Sequence, residues 1–239
     1  MQISYADKVV LVAGGTGGLG RGVTMALLSE GATVIATYRN PKAFAELQTL
    51  AGAHAARLEG VQVDVTEDSA VAALIDSLTA KHGRIDAVIN TVGAYAGGVK
   101  LWELEPEVFE RMLDLNLRSG FVLARSAVPV MLKQGSGVLI NVAAKAASDH
   151  AAGASAYAAS KAAAVALMDS LAADLKGTCV RVNSVLPSII DTQANRSAMP
   201  GAAFDKWPKP EEIAQVILFL ASDQARVVHG ASVPVYGQS

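Results

Sequence analysis

Short apolar runs rich in β-branched residues alternate along the chain with longer stretches whose apolar positions recur at helical spacing. Runs such as VVLVA (9–13) and GVLINV (137–142) contain almost no polar residue, which is typical of strands covered on both faces. This alternation predicts repeated strand–helix–strand units. The predicted strands are residues 8–13, 33–38, 60–63, 87–91, 137–142, 181–186 and 232–235. The predicted helices are residues 18–30, 41–50, 67–82, 106–132, 155–175 and 210–221.

This order of elements predicts one domain over residues 1–239, of the α/β class. We expect a Rossmann-type doubly wound parallel sheet of about seven strands with helices on both faces. One segment, 191–210, contains Pro200, Gly201 and Pro208 and follows neither period. It predicts a long loop, which either covers a ligand or is an ordinary surface excursion.

The composition narrows the class of partner. Hydrophobic residues make up 51% of the chain, charged residues 18%, and the formal net charge is -2. This balance predicts a folded protein and gives no electrostatic footprint for nucleic acid or a membrane surface. Small molecules and copies of the chain are the expected partners, since the apolar faces of 106–132 and 155–175 suit self-association.

Several features argue against secretion and against a metal. Asp7 and Lys8 directly precede the first apolar run, and no run approaches the roughly 18 residues of a membrane span, so we expect a cytoplasmic protein. Cys179 is the single cysteine, and its apolar neighbours predict a buried thiol. We predict no metal site, because the four histidines are scattered over different elements. These are His54, His82, His150 and His229.

A glycine-rich turn, Gly14-Gly15-Thr16-Gly17-Gly18-Leu19-Gly20, follows the first predicted strand and opens the first predicted helix. Glycine lets a backbone approach a pyrophosphate closely, and the helix N-terminus offers free N–H groups. The turn therefore predicts a dinucleotide site rather than a merely tight turn.

The spacing of Gly14, Gly18 and Gly20 resembles the GxxxGxG signature of short-chain dehydrogenases/reductases. Other motifs of that family follow in order over about two hundred residues. They are Asp64 after the third strand, Asn90-Thr91-Val92-Gly93, Asn116, Tyr157-Ala158-Ala159-Ser160-Lys161 and Arg181-Val182-Asn183-Ser184-Val185-Leu186-Pro187. Taken singly, Asp64 reads equally well as a helix cap, and Asn90 and Asn116 as turn or core hydrogen-bonding groups.

The resemblance implies a nicotinamide-dependent oxidoreductase with Tyr157, Lys161 and Asn116 as catalytic residues. The implied cofactor site consists of Gly14, Thr16, Gly18, Leu19, Gly20, Arg39, Asp64, Val65, Asn90, Gly93, Tyr157, Lys161, Pro187, Ile190 and Thr192. An acid after the second strand would receive the ribose of NAD, but Arg39 stands there, so we expect NADP, with NAD possible.

Tyr157 and Lys161 are four residues apart, so on a helix they project from one face. A nearby ammonium favours the tyrosinate and is expected to lower the phenol pKa, which makes the tyrosine a usable proton donor.

The family places a substrate-binding Ser 13 residues before the Tyr, and here that position is Ala144. Loss of one oxyanion donor typically costs about 10² to 10³ in rate, and Ser148 is a poor replacement because it lies four residues downstream. Within the family, Ala144-Lys145 and Tyr95-Ala96-Gly97-Gly98 resemble dihydropteridine reductase, although Asn116 and Arg39 depart from it.

The resemblance suggests a small conjugated or carbonyl substrate, for example a quinonoid dihydropteridine, which spreads developing charge over several atoms. It also implies pairing of the two long apolar helices in a homodimer or homotetramer. The substrate-binding candidates are Tyr95, Ala144 and Trp207, the two aromatics serving as a flat wall or being ordinary core or surface residues. The alternatives are a general carbonyl or 3-oxoacyl reductase and a non-catalytic sensor of nicotinamide redox state.

Overall fold

The computed structural model describes residues 3–239. Its seven strands are β1 (Val9–Ala13), β2 (Thr33–Tyr38), β3 (Leu58–Gln62), β4 (Ala87–Asn90), β5 (Gly137–Val142), β6 (Val180–Pro187) and β7 (Ser232–Val235). Its α-helices are α1 (Gly18–Ser29), α2 (Pro41–Ala51), α3 (Asp68–His82), α4 (Pro106–Leu113), α5 (Ser119–Gln134), α6 (Ser155–Asp174), α7 (Gln193–Ala198) and α8 (Pro210–Ala221).

All neighbouring strands pair in parallel, in the order β3-β2-β1-β4-β5-β6-β7. The direction of winding reverses between β1 and β4, and ligands of open α/β sheets bind in the crevice at the carboxyl ends of such strands. This arrangement confirms the predicted doubly wound parallel sheet.

The sheet has an apolar core on each face, as the continuous apolar strands predict. Val10 and Val12 of β1 pack with α1, α2 and α8, whereas Val9 and Leu11 pack on the opposite face with α3, α5 and α6. Because both faces are buried, side chains at the strand ends are the ones that reach solvent and a ligand.

Two sequence predictions were wrong in detail. The helix expected over 106–132 is divided, since α4 ends at Leu113 and a π-helical turn, Asp114–Arg118, precedes α5. Cys179 is exposed rather than buried, because it lies in the turn that leads into β6 and not within the strand. Among residues 3–239, no helix is both long and apolar enough to span a membrane.

Candidate active site

The glycine-rich turn joins β1 to α1 at the switch point of the sheet. Gly14 has φ +74°, and a Cβ on Gly20 would lie 2.1 Å from the Gly14 carbonyl oxygen, so neither position accommodates a side chain. Helix α1 begins without a side-chain cap. The first N–H groups of α1 are therefore available to a phosphate.

Two threonines fix this turn, and neither was predicted as a site residue. The Gly14 N–H donates to Thr37 Oγ1 at 2.9 Å, and Thr91 Oγ1 donates to the Ala13 carbonyl at 2.7 Å. Each threonine lies at the end of a strand next to β1, and a polar residue at that position was the sequence feature that could have predicted this role. Leu19 has its side chain in the core, so only its backbone can face a ligand.

A cleft of about 320 Å³ extends from the glycine turn along the ends of β2, β3 and β4. It brings together the predicted cofactor residues Gly14, Thr16, Arg39, Asp64, Val65 and Gly93. The exposed Arg39 guanidinium makes no hydrogen bond with the described residues, and its charge acts on Asp64. Asp64 Oδ1 accepts hydrogen bonds from Thr66 N and Thr66 Oγ1, which hold the pKa of Asp64 below its usual value. Asp64 thus forms a turn and also faces the cleft.

The segment after β6 closes the other side of the cofactor turn. A Cβ on Gly18 would lie 2.7 Å from Thr192 Cγ2, so the Thr192 side chain packs directly on the Gly18 backbone. Thr192 caps the short helix α7, and the Ile190 carbonyl accepts a hydrogen bond from Asn195 Nδ2 at 2.7 Å. Pro187, the last residue of β6, is buried. The predicted loop is therefore partly helical.

Lys161 is buried on α6, with 4% of its surface exposed, and its Nζ donates to the Val142 carbonyl at 3.0 Å. Burial lowers the pKa of Lys161 to about 8. A Cβ on Gly93 would lie 3.0 Å from this Nζ, so the turn after β4 runs directly beside the amine. The amine is thereby held next to the cofactor cleft.

Tyr157 lies half-buried on the same helix, and its hydroxyl makes no hydrogen bond with the described residues. Burial, assisted by the nearby Tyr95, raises the pKa of Tyr157 to about 12. The expected lowering by Lys161 is therefore not observed, because burial of the phenol sets the direction of the shift. The Lys161 amine donates to the Val142 carbonyl, so the two residues share a helix without forming a hydrogen-bonded pair.

The two asparagines position backbone segments rather than facing the cleft. Asn116 Oδ1 accepts from Ala94 N at 2.9 Å, and its Nδ2 donates to the Ala94 carbonyl and to Ser160 Oγ, each at 3.0 Å. Asn90 Nδ2 donates to Asn141 Oδ1 at 2.9 Å, and Asn90 Oδ1 accepts from Val92 N. Both asparagines are buried, so their side chains hold the turn after β4 against α6 and β5.

The substrate candidates differ in their surroundings. Ala144 is buried after β5, and Tyr95 is 69% exposed with its ring centroid 5.0 Å from that of Tyr157. Trp207 is only 6% exposed and packs on Phe204, so it offers little surface to a ligand. Ser148 is exposed, and its Oγ lies 3.4 Å from the Lys145 carbonyl.

Residues 8–202 match the family model of the short chain dehydrogenases. The chain is 31% identical over 238 residues to a 3-oxoacyl-[acyl-carrier-protein] reductase of Thermotoga maritima, with 96% of each chain covered. It is 34% identical over 246 residues to a cyclopentanol dehydrogenase of Comamonas, covering 97% of this chain and 96% of the relative. A short-chain dehydrogenase/reductase structure from Mycobacterium ulcerans superimposes with a TM-score of 0.93 at 28% identity, covering 99% of this chain and 90% of that one.

These comparisons do not extend to the narrower resemblance to dihydropteridine reductase, which remains a prediction. The match over nearly the whole chain, together with the glycine turn and the Tyr157–Lys161 helix, identifies an oxidoreductase. The chain belongs to the short-chain dehydrogenase/reductase family.

Proposed function

We propose that this enzyme transfers a hydride between NADP(H) and a small conjugated or carbonyl substrate, with NAD(H) as the weaker cofactor. The observation that carries the proposal is the buried Lys161 amine beside Gly93 of the cleft, with Tyr157 one turn earlier on the same helix. A bound nicotinamide supplies the hydride. The chain's own residues position the cofactor and substrate and hold the proton.

The cleft has the features that a dinucleotide needs. The uncapped N-terminus of α1 receives a pyrophosphate, and the free Arg39 guanidinium is placed to bind a 2′-phosphate. Asn90 fixes the turn after β4 through Val92 N, and the Lys161 amine lies beside Gly93 of that turn, where a nicotinamide ribose is expected. No acid follows β2 to favour NAD.

Tyr157 is the proposed proton donor. With a pKa of about 12 it is protonated at neutral pH, and a negative charge that develops on the substrate draws its proton. The Lys161 amine donates to the Val142 carbonyl and does not pair with this phenol, so burial and the nearby Tyr95 set the pKa of Tyr157.

The substrate class follows from Ala144. A conjugated acceptor such as a quinonoid dihydropteridine spreads the developing charge and depends less on one donor, whereas a ketone concentrates it on one oxygen. The relative that is named a 3-oxoacyl reductase supports the carbonyl alternative. The exposed apolar groove between α5 and α6 supports self-association as a homodimer or homotetramer.

The test is a stopped-flow panel of quinonoid dihydropteridine, diacetyl and an acetoacetyl thioester with NADPH and NADH. We expect NADPH oxidation with at least one member, and its loss in Tyr157→Phe with the Kd for NADPH little changed. Equal turnover by Tyr157→Phe would overturn the assigned mechanism. NADPH binding without oxidation across the panel would instead favour the non-catalytic sensor.

A further inference from the structure

Tyr95 places a second phenol at the catalytic tyrosine. Its ring contacts that of Tyr157 edge-on, with centroids 5.0 Å apart and planes at 73°. The Tyr95 hydroxyl makes no hydrogen bond with the described residues. The nearby Tyr95 contributes to the raised pKa of Tyr157, after burial. A free donor therefore lies next to the proton donor of the reaction.

The other hydroxyl groups nearby are directed elsewhere. Ser148 Oγ lies by the Lys145 carbonyl, and Ser160 Oγ donates to the Tyr157 carbonyl at 2.8 Å. Ser155 precedes Tyr157 by two residues on α6, and residues at that spacing lie on different faces of a helix. Ala144 carries only a methyl group. Of these side chains, Tyr95 is the one that is exposed and whose ring contacts Tyr157, so its hydroxyl has access to a substrate at Tyr157.

Gly97 allows the Tyr95 ring to take this position. A Cβ on Gly97 would lie 2.1 Å from the Tyr95 hydroxyl oxygen and 2.6 Å from its Cζ. The Tyr95 side chain folds back over the Gly97 backbone, and any larger residue there displaces the phenol. Because the displaced atoms belong to an exposed side chain, the backbone need not move.

We propose that Tyr95 donates the second hydrogen bond to the substrate atom that receives charge, and that Gly97 is the residue that positions it. This inference rests on the proposed function. It assigns to a phenol on the turn after β4 the donor that Ala144 cannot provide. Since this donor lies beside Tyr157, it can donate a hydrogen bond to a carbonyl oxygen as well as to a conjugated ring.

The physical effect belongs to the transition state. In the open cleft the Tyr95 hydroxyl is solvated, so it gains little from a neutral substrate. When hydride transfer puts negative charge on the acceptor atom, the hydrogen bond becomes charge-assisted and stronger. Loss of the hydroxyl should therefore lower kcat more than it raises KM.

The experiment separates the hydroxyl from the ring. With diacetyl and NADPH we expect Tyr95→Phe to lower kcat by about 100-fold, at nearly unchanged KM. Ala144→Ser should restore at least about tenfold of that loss in the Tyr95→Phe protein. Gly97→Ala should reproduce the loss in the wild type and add almost nothing to Tyr95→Phe.

Each contrary result is informative. Full activity of Tyr95→Phe with a raised KM in Tyr95→Ala would show that Tyr95 is only an apolar wall, and would overturn the inference. Loss in Tyr95→Phe without rescue by Ala144→Ser would also overturn it, since the hydroxyl would not be replacing that donor. If Tyr157→Phe is inactive in these assays while Tyr95→Phe keeps the wild-type kcat, the proposed function stands and the Tyr95 assignment fails. If the wild type oxidises NADPH with no panel member, both fail together.

Discussion

Lys161 carries an ammonium group into a site where water does not reach it. Its Nζ has the Val142 carbonyl as its hydrogen-bond partner, and no carboxylate in residues 3–239 pairs with it. Desolvation is therefore uncompensated, and it lowers the pKa of Lys161 from 10.5 to about 8. A buried ammonium group without a neighbouring carboxylate is more typical of a functional site than of a core.

This burial predicts a pH dependence of stability. Below pH 8 both folded and unfolded chains hold the proton, and the full cost of burying the charge is present. Between pH 8 and 10.5 the unfolded chain binds a proton that the folded chain has lost, so stability rises with pH. Relative to Lys161→Met, the wild type should gain about 3 kcal/mol in free energy of unfolding across this window.

Urea unfolding of both proteins without cofactor, at several values from pH 7.5 to 10, measures the difference. Tyr157 and Tyr5 have raised pKa values and titrate at higher pH in the folded protein, and they are common to both proteins. Parallel curves for wild type and Lys161→Met would show that the amine is not buried in solution.

Arg39 gives a second prediction at this scale. A charge-assisted hydrogen bond to a phosphate contributes roughly 1.5–3 kcal/mol, so Arg39→Ala should raise the Kd for NADPH by about 10- to 100-fold. The Kd for NADH should change little, since NADH has no 2′-phosphate. Fluorescence titration with both cofactors measures this, and Arg226→Ala, at the opposite end of the sheet, is the matched control. Equal changes for both cofactors would exclude Arg39 as the phosphate clamp.

At the scale of elements, the π-helical turn between α4 and α5 carries Asn116. The Asn116 side chain meets the backbone of Ala94, where it accepts from the N–H and donates to the carbonyl. The same Nδ2 reaches Ser160 on α6. Irregular turns of this kind are frequent at functional sites, and here one residue joins three elements.

Asn116→Ala should therefore loosen the segment after β4. It leaves the N–H and carbonyl of Ala94 without their partner, and we expect a loss of about 2–3 kcal/mol in free energy of unfolding. Amide hydrogen exchange at Ala94 should accelerate. Ser160→Ala removes one contact of Asn116 and keeps its two bonds to Ala94, so it should leave that exchange slow. Equal protection of Ala94 in both variants would contradict the role given to Asn116.

The elements also show what a sequence can predict. Apolar runs such as 9–13 and 137–142 are typical of strands covered on both faces, so the strands and the parallel sheet followed from the pattern. The division at Asp114–Arg118 did not, because one π-helical turn of five residues is too short to alter the helical pattern over 106–132. The pKa of Tyr157 depends on how deeply the phenol is buried, and the contact between Tyr95 and Gly97 depends on a side-chain rotamer. Neither is encoded in spacing.

At the scale of the whole molecule, α5 and α6 leave an apolar groove facing solvent. Its volume is about 290 Å³, and its lining includes Phe121, Val128 and Leu171. Phe121 is 46% exposed. A groove lined by both long helices is a surface that a second copy can cover with the same groove, which is the geometry of an isologous two-fold interface.

Phe121→Glu should disrupt that pairing. The exposed position tolerates a carboxylate in an isolated subunit, but in a two-fold interface each copy brings a charge into an apolar contact, which is costly to desolvate. We expect the molar mass measured by sedimentation at micromolar concentration to fall at least by half, with an unchanged circular dichroism spectrum. Leu50→Glu, at a 53% exposed position on α2, which packs on the other face of the sheet from α5 and α6, should keep the wild-type mass. An unchanged mass of Phe121→Glu would place the interface on another surface. A monomeric wild type would exclude self-association through any surface at this concentration.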